Sequence, residues 1–167
     1  MVTPQNPLKQ ASDTAPFEER LKAARRMARH PRIRVTDIEW RLGTSHTAES
    51  LALILPRFPK ARFVWLMGAD NLLQISEWKD WPRIFRLVPI AIFARPPYSK
   101  LALVARSARV FAEFRVSEPR ARSIATVLPP AWVFLHIRPH AGSATRIRAR
   151  RAAANNERDS MVAVSQA

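Results

Sequence analysis

The chain has 167 residues, 47% hydrophobic and 25% charged, enough for one domain with its own core. It contains no cysteine, which excludes disulfides and thiolate metal sites. No apolar run reaches the ~18 residues of a membrane span and no signal-peptide pattern is present, so a cytoplasmic protein is expected. The net charge of +15 and the pI of 11.7 raise a nucleic-acid or other polyanion partner. Against that reading, the arginines are spread along the chain and are not interleaved with exposed aromatics, as a single-strand binder would need.

In chain order, Val2-Thr3 reads as the tail of a strand entering a Pro4/Pro7 turn. Phe17 to Arg29 is an amphipathic helix with Phe17, Leu21, Ala24 and Ala28 on one face. Asp13 or Thr14 is expected to cap it, with Glu18 and Glu19 at its positive end and Arg25, Arg26 and Arg29 at the other. Ile33 to Ile38 alternates as a strand. Gly43 to Thr47 is a polar turn opening a helix from Ala48 to Leu55, which Pro56 ends. Phe63 to Met67 is a buried strand running into Gly68-Ala69-Asp70 and a short helix. Pro82 starts another short helix, and Leu87 to Phe93 is an apolar strand. A helix is expected from about Leu101 to Phe114, an irregular stretch from Glu118 to Pro130, and a last strand from Trp132 to His136. Gly142 to Thr145 opens an arginine-rich helix, Arg146 to about Ala154, followed by a polar tail. Strand-helix alternation of this kind argues an α/β fold with a mostly parallel sheet.

Four groups of residues have chemistry to offer. An apolar strand ending in Gly-x-Asp presents polar groups at the carboxyl end of a parallel sheet, where ligands bind. There Asp70 and the flat face of Trp78 suit a nucleotide base or a pyridine ring, or else are a capping Asp and a core Trp. Ser143-Ala144-Thr145 at a helix start, with Arg146 and Arg148 one turn on, is an anion site or a plain N-cap. Asn6 to Lys9 brings an ammonium towards a phosphate or is a surface turn. His136 and His140 have helical i, i+4 spacing, but Pro139 breaks any helix there, and a surface loop is the better reading than a metal site.

In this order the segments resemble one family, the bacterial nicotinate-nucleotide adenylyltransferases. The matching stretches are V-T-P-Q-N-P-L-K at Val2 to Lys9, G-T-S-H-T at Gly43 to Thr47 and W-L-M-G-A-D-N-L at Trp65 to Leu72. They continue with W-K-D-W-P-R-I-F at Trp78 to Phe85, A-R-P-P-Y at Ala94 to Tyr98 and S-A-T-R-I-R at Ser143 to Arg148. The resemblance covers about Val2 to Arg151 and implies a Rossmann-like nucleotidyltransferase fold. It implies that the nicotinate ring of nicotinate mononucleotide lies against Trp78, helped by Thr47. It further implies that Gly68, Asp70 and Arg95 line the nucleotide site and that Lys9 lies near the substrate phosphates. Ser143, Thr145 and Arg148 would hold the phosphates of ATP, with Mg²⁺ accompanying the triphosphate. The reaction implied is in-line attack of the mononucleotide phosphate on the α-phosphorus of ATP, giving deamido-NAD and pyrophosphate.

Two departures from the family stand out. His46 occupies the place of the usual tyrosine in the Ser-Tyr-Thr turn. The family's opening strand and its Gly-x-Phe-x-Pro-x-His-x-Gly-His loop have no counterpart here, so no catalytic residue is assigned within these 167 residues. The expectation is therefore an N-terminally truncated sheet, missing its first, central strand, in a chain that binds nucleotides weakly and does not catalyse alone. Residues 1–151 form the expected nucleotidyltransferase-like domain and 152–167 a frayed tail. The competing readings are a basic nucleic-acid-binding α/β protein and an adenylyltransferase with a different acceptor, such as a pantetheine phosphate.

Overall fold

The computed structural model describes residues 2–3 and 15–137. The described residues up to His136 belong to one compact unit. Four strands form a single sheet: β1 (Trp65–Gly68), β2 (Ile90–Phe93), β3 (Arg115–Val116) and β4 (Trp132–Leu135), in the order β1-β2-β4-β3. Every pairing is parallel. A parallel sheet covered on both faces selects continuous apolar strands, which is why Ile90-Ala91-Ile92-Phe93 and Trp132-Val133-Phe134-Leu135 carry no polar residue. Three helices precede the sheet, α1 (Phe17–Met27), α2 (Ile38–Leu42) and α3 (Thr47–Ile54); α4 (Ala69–Gln74) and α5 (Trp81–Leu87) connect β1 to β2, and α6 (Ser99–Leu103) and α7 (Arg106–Val110) connect β2 to β3.

The main core lies on one face of the sheet. Met67, Ile90, Ile92, Trp132 and Phe134 meet Leu51, Leu72, Ile75, Ile84, Phe85 and Phe111 from the helical layer. Each fully buried side chain of this size contributes roughly 1.5–3 kcal/mol through removal from water. The indole Nε1–H of Trp132 donates to the carbonyl of Phe111 at 2.7 Å, so its one polar atom is satisfied. The opposite face carries the alternate side chains Ala91 and Val133, under Ile124 and Ala131.

Register positions the functional end. Trp65 pairs with Ile90 and Gly68 with Phe93, while Ile90 pairs with Trp132 and Phe93 with Leu135. The three long strands therefore finish level, and the residues that follow Gly68, Phe93 and Leu135 emerge along one edge.

Several expectations need correction. Ile33 to Ile38 is not a strand: Ile33 is exposed, and Ile38 already opens α2. A strand needs a hydrogen-bonded neighbour, and the segment's cross-chain backbone bond runs from Val2 N–H to the carbonyl of Thr36 at 2.9 Å. Among the described residues β1 has a strand neighbour on one side only, in keeping with a sheet that stops there. Pro16 holds the cap position of α1, with no side-chain cap bond, and Asp13 and Thr14 lie outside the described residues. The helix expected over Leu101 to Phe114 is broken at Ala105, whose extended backbone separates α6 from α7. Its apolar period is not all core, since Leu101, Val104 and Val110 are exposed. Glu118–Thr126 is a 3₁₀ helix and not irregular chain, and the apolar strand begins only at Ile90 because Leu87 still belongs to α5. The arginine-rich helix and the tail lie outside the described residues.

Candidate functional site

The carboxyl edge of the sheet is built by Gly68, Asp70 and Arg95. Gly68 ends β1 and caps α4 in an extended conformation, φ −84° and ψ 162°. Space is tight there: a Cβ at Gly68 would lie 2.3 Å from Oδ1 of Asp70, so a side chain would have to displace that carboxylate. Two residues after the end of β2, Arg95 places its guanidinium 2.8 Å from Oδ2 of Asp70. The level strand ends make that meeting possible across 25 residues of sequence. Oδ1 of Asp70 is buried and has no hydrogen-bond partner, so one carboxylate oxygen is engaged by Arg95 and the other is left for a donor.

A second wall is the turn from Gly43 to Thr47. Gly43 caps α2 at φ +65°, the left-handed region that favours glycine, and Thr47 is the first residue of α3. Beneath the turn lies a buried polar cluster of Glu39, Thr44 and Ser50. Trp78 follows a 3₁₀ turn (Ile75–Glu77) and packs against the main core while keeping partial exposure. Its amide donates to the carbonyl of Ile75 at 3.0 Å, and its carbonyl accepts from the amide of Trp81 at 3.2 Å, so its backbone is fixed. The two walls are tied across 30 residues by the ammonium of Lys79 donating to Glu49 at 2.7 Å. That bond holds the Glu49 carboxyl below its usual range, and His46, 3.6 Å from the same group, adds to the effect.

At the far side of the edge, Glu118 accepts the amide N–H of His136 and meets its Nδ1, both at 2.7 Å. These two contacts, the side-chain one first, hold the Glu118 carboxyl below its usual range. His136 is thus a clamp between the end of β4 and the 3₁₀ helix. His140, the other member of the i, i+4 pair, lies outside the described residues.

A parallel sheet with polar groups gathered at its carboxyl edge is the arrangement of nucleotide-binding α/β proteins, and comparison with known proteins narrows it. The model of the cytidylyltransferase-like family matches residues 1–150. This chain belongs to that family. Its relatives include a probable nicotinate-nucleotide adenylyltransferase of Ruegeria pomeroyi, 46% identical over 89% of this chain and 70% of the relative. A protein of the same name from Cereibacter sphaeroides is 48% identical over 89% of this chain and 78% of its own length. Another, from Ruegeria sp., is 42% identical over 90% and 79%. The cytidylyltransferase-like fold accounts for the four parallel strands and for polar residues converging after β1 and β2.

Of the residues singled out in the sequence, the structure brings Asp70 and Arg95 into contact beside Gly68. It sets Thr47 and Trp78 on two elements joined by Glu49 and Lys79. Lys9, Ser143, Thr145 and Arg148 lie outside the described residues. Sequence reasoning missed Glu39, Ser50, Glu49 and Lys79. A glutamate between Ile38 and Trp40 gives no sign of burial, and a salt bridge spanning 30 residues leaves no local pattern. Among the described residues, no group of three or more His, Asp or Glu is placed to hold a metal ion. No helix among them is long and apolar enough to cross a membrane.

Proposed function

We propose that this chain is a nicotinate-nucleotide adenylyltransferase of NAD biosynthesis, joining the AMP moiety of ATP to nicotinate mononucleotide. The observation that carries the reading is identity of 42–48% over about nine-tenths of the chain to proteins bearing that name. The turn and Trp78 support the acceptor: a half-exposed indole fixed by its own backbone is a platform for a pyridine ring. A phosphate oxygen of the mononucleotide attacks the α-phosphorus of ATP. The new P–O bond forms as the bond to the β-phosphate oxygen breaks, and pyrophosphate leaves with the electron pair.

In this proposal Trp78 stacks on the nicotinate ring and Thr47 orients it. Asp70 accepts from the nucleotide through its unpartnered oxygen, and Arg95 holds that carboxylate and faces the phosphates. Lys9, Ser143, Thr145 and Arg148 complete the phosphate contacts. Such a site acts by positioning and charge stabilisation, without a covalent enzyme intermediate. Mg²⁺ arrives with ATP as the counter-ion of the triphosphate. With a single carboxylate in contact with Arg95 at this edge, the described residues suit a metal carried by substrate better than a protein cage. We take residues 1–151 as the catalytic-type domain, a boundary supported by the family match to residue 150, and a cytoplasmic location as part of the same reading. Neither a nucleic-acid partner nor a different acceptor draws support from the relatives.

The sequence contains no His-x-Gly-His, so the test is binding before turnover. Calorimetric titration with nicotinate mononucleotide should give saturable binding. Trp78→Ala should weaken it by about fivefold to 150-fold, from the ~1–3 kcal/mol of base stacking, and leave ATP affinity within about twofold. Unchanged mononucleotide affinity in that variant, with the fold intact by circular dichroism, overturns the assignment.

A further inference from the structure

Glu39 is 1% exposed, yet it belongs to none of the contacts assigned above. Burying a carboxylate is costly unless strong partners meet it. Its Oε1 accepts from the hydroxyl of Ser50 at 2.8 Å. The Ser50 hydroxyl in turn lies 2.9 Å from the hydroxyl of Thr44 and 3.1 Å from the carbonyl of His46. Ser50 has one hydroxyl proton, and the shorter of its acceptor contacts, at 2.8 Å, is to Glu39. The Thr44 hydroxyl then donates to the oxygen of Ser50.

The main chain follows the same centre. The amide of Thr44 donates to the carbonyl of Glu39 at 3.1 Å, and the amide of Ser50 donates to the carbonyl of His46 at 3.0 Å. The turn is thereby held at Thr44 and at His46, the residues flanking Ser45 and leading into Thr47. Nothing else in the turn is buried enough to fix it: Ser45, His46 and Thr47 are partly exposed.

We propose that Glu39 is a positioning residue for the acceptor site. Acting through Ser50 and Thr44, it sets the path of the Gly43 to Thr47 turn and so the place of the Thr47 hydroxyl, selectively for the mononucleotide and not for ATP. The inference rests on the reading of the turn as the acceptor wall. A fixed acceptor is what a short glycine-capped turn needs to keep one conformation when its own residues face solvent.

The test uses the whole chain with Glu39→Leu, Glu39→Gln and Thr44→Val, titrated separately with nicotinate mononucleotide and with MgATP. Glu39→Leu removes the acceptor at similar size, Glu39→Gln keeps an acceptor for Ser50, and Thr44→Val cuts the link to the turn alone. Glu39→Leu and Thr44→Val should weaken mononucleotide binding by about threefold to tenfold, the scale of one hydrogen bond to the ligand lost when the turn shifts. ATP affinity should stay within about twofold, and Glu39→Gln should restore mononucleotide affinity to within about threefold. If Glu39→Leu does not fold, Thr44→Val and Glu39→Gln carry the same contrast. Equal loss for both ligands, or no loss for the mononucleotide in a folded variant, overturns the proposal. Should the unaltered chain ignore the mononucleotide altogether, the functional reading itself fails and this inference with it, an outcome distinct from the other two.

Discussion

Gly68→Ala tests how the edge of the sheet is assembled. The backbone at Gly68, φ −84° and ψ 162°, is open to any residue, so conformational strain is not the obstacle. Space is. The added Cβ would lie 2.3 Å from Oδ1 of Asp70, 3.5 Å from its Cγ and 3.8 Å from Cδ of Arg95. Carbon and oxygen approach comfortably to about 3.3 Å, so the carboxylate must retreat by roughly 1 Å. It cannot do so and keep its 2.8 Å bond to Arg95. Overpacking of this kind costs about 1–3 kcal/mol. Losing the ion pair adds less than about 1 kcal/mol, because the side chains of Arg95 and Asp70 are 50% and 26% exposed. Gly68→Ala should therefore destabilise the fold by about 2 kcal/mol, more than tenfold in the unfolding constant. In an Asp70→Ala background the clashing oxygen is gone, and the remaining neighbour at 3.8 Å is in ordinary contact. There the same substitution should cost under about 0.5 kcal/mol. Urea unfolding of the four proteins closes the cycle. A Gly68→Ala penalty as large without Asp70 as with it would refute the claim that this glycine exists to make room for that carboxylate.

Two further outcomes are expected. Trp132→Phe strips the donor from the carbonyl of Phe111, bonded at 2.7 Å inside the core, and should lower stability by about 2–4 kcal/mol from the orphaned acceptor and the void together; a change below about 0.5 kcal/mol in the urea midpoint analysis contradicts that account of the core. For Glu118, whose carboxyl is held below its usual range by His136, the sign follows from linkage: the contribution is present above the unfolded carboxyl's titration and is lost as pH falls through the folded one. Glu118→Gln should therefore flatten the acid limb of stability between about pH 5 and pH 3, and an unaltered limb shows that the contact with His136 carries no linked stability.

The parts of the fold that could be read from the sequence are those where one local signal acts alone. Trp132 to Leu135 is an apolar run that a covered parallel sheet accommodates, and it is a strand; the run expected over Phe63 to Met67 pairs only from Trp65 to Gly68, and its Leu66 is exposed rather than buried. Ile33 to Ile38 carries an equally clear alternation, but alternation records which side chains are apolar and not whether a neighbour is present; unpaired, the segment stays irregular. The Leu101 to Phe114 period failed for a related reason. Ser107 must turn inward to donate to the carbonyl of Leu72 at 2.7 Å, and the break at Ala105 allows it. At the candidate site, Gly68 and Asp70 were legible because glycine and carboxylate sit two residues apart on one turn. Glu39 was not, because its partners Thr44 and Ser50 only become neighbours once α2 and α3 fold back on each other.

The excess of positive charge acquires a physical sense from how the acids are used. Asp37 pairs with Arg41 at 3.0 Å, Glu49 with Lys79 at 2.7 Å and Asp70 with Arg95 at 2.8 Å. Asp80 lies 3.6 Å from Arg83, and Glu118 meets His136 at 2.7 Å. With 28 lysines and arginines against 13 acids, the balance stays positive while these five carboxylates are locally cancelled. At the sheet edge this matters most, since Asp70 would repel a phosphate if Arg95 did not neutralise it. Both substrates of the proposed reaction are anions, and a positive field raises their local concentration. A diffuse arginine excess with a balanced carboxylate at the strand ends is what small phosphorylated ligands require, whereas a long polyanion would need the charges lined up along a groove.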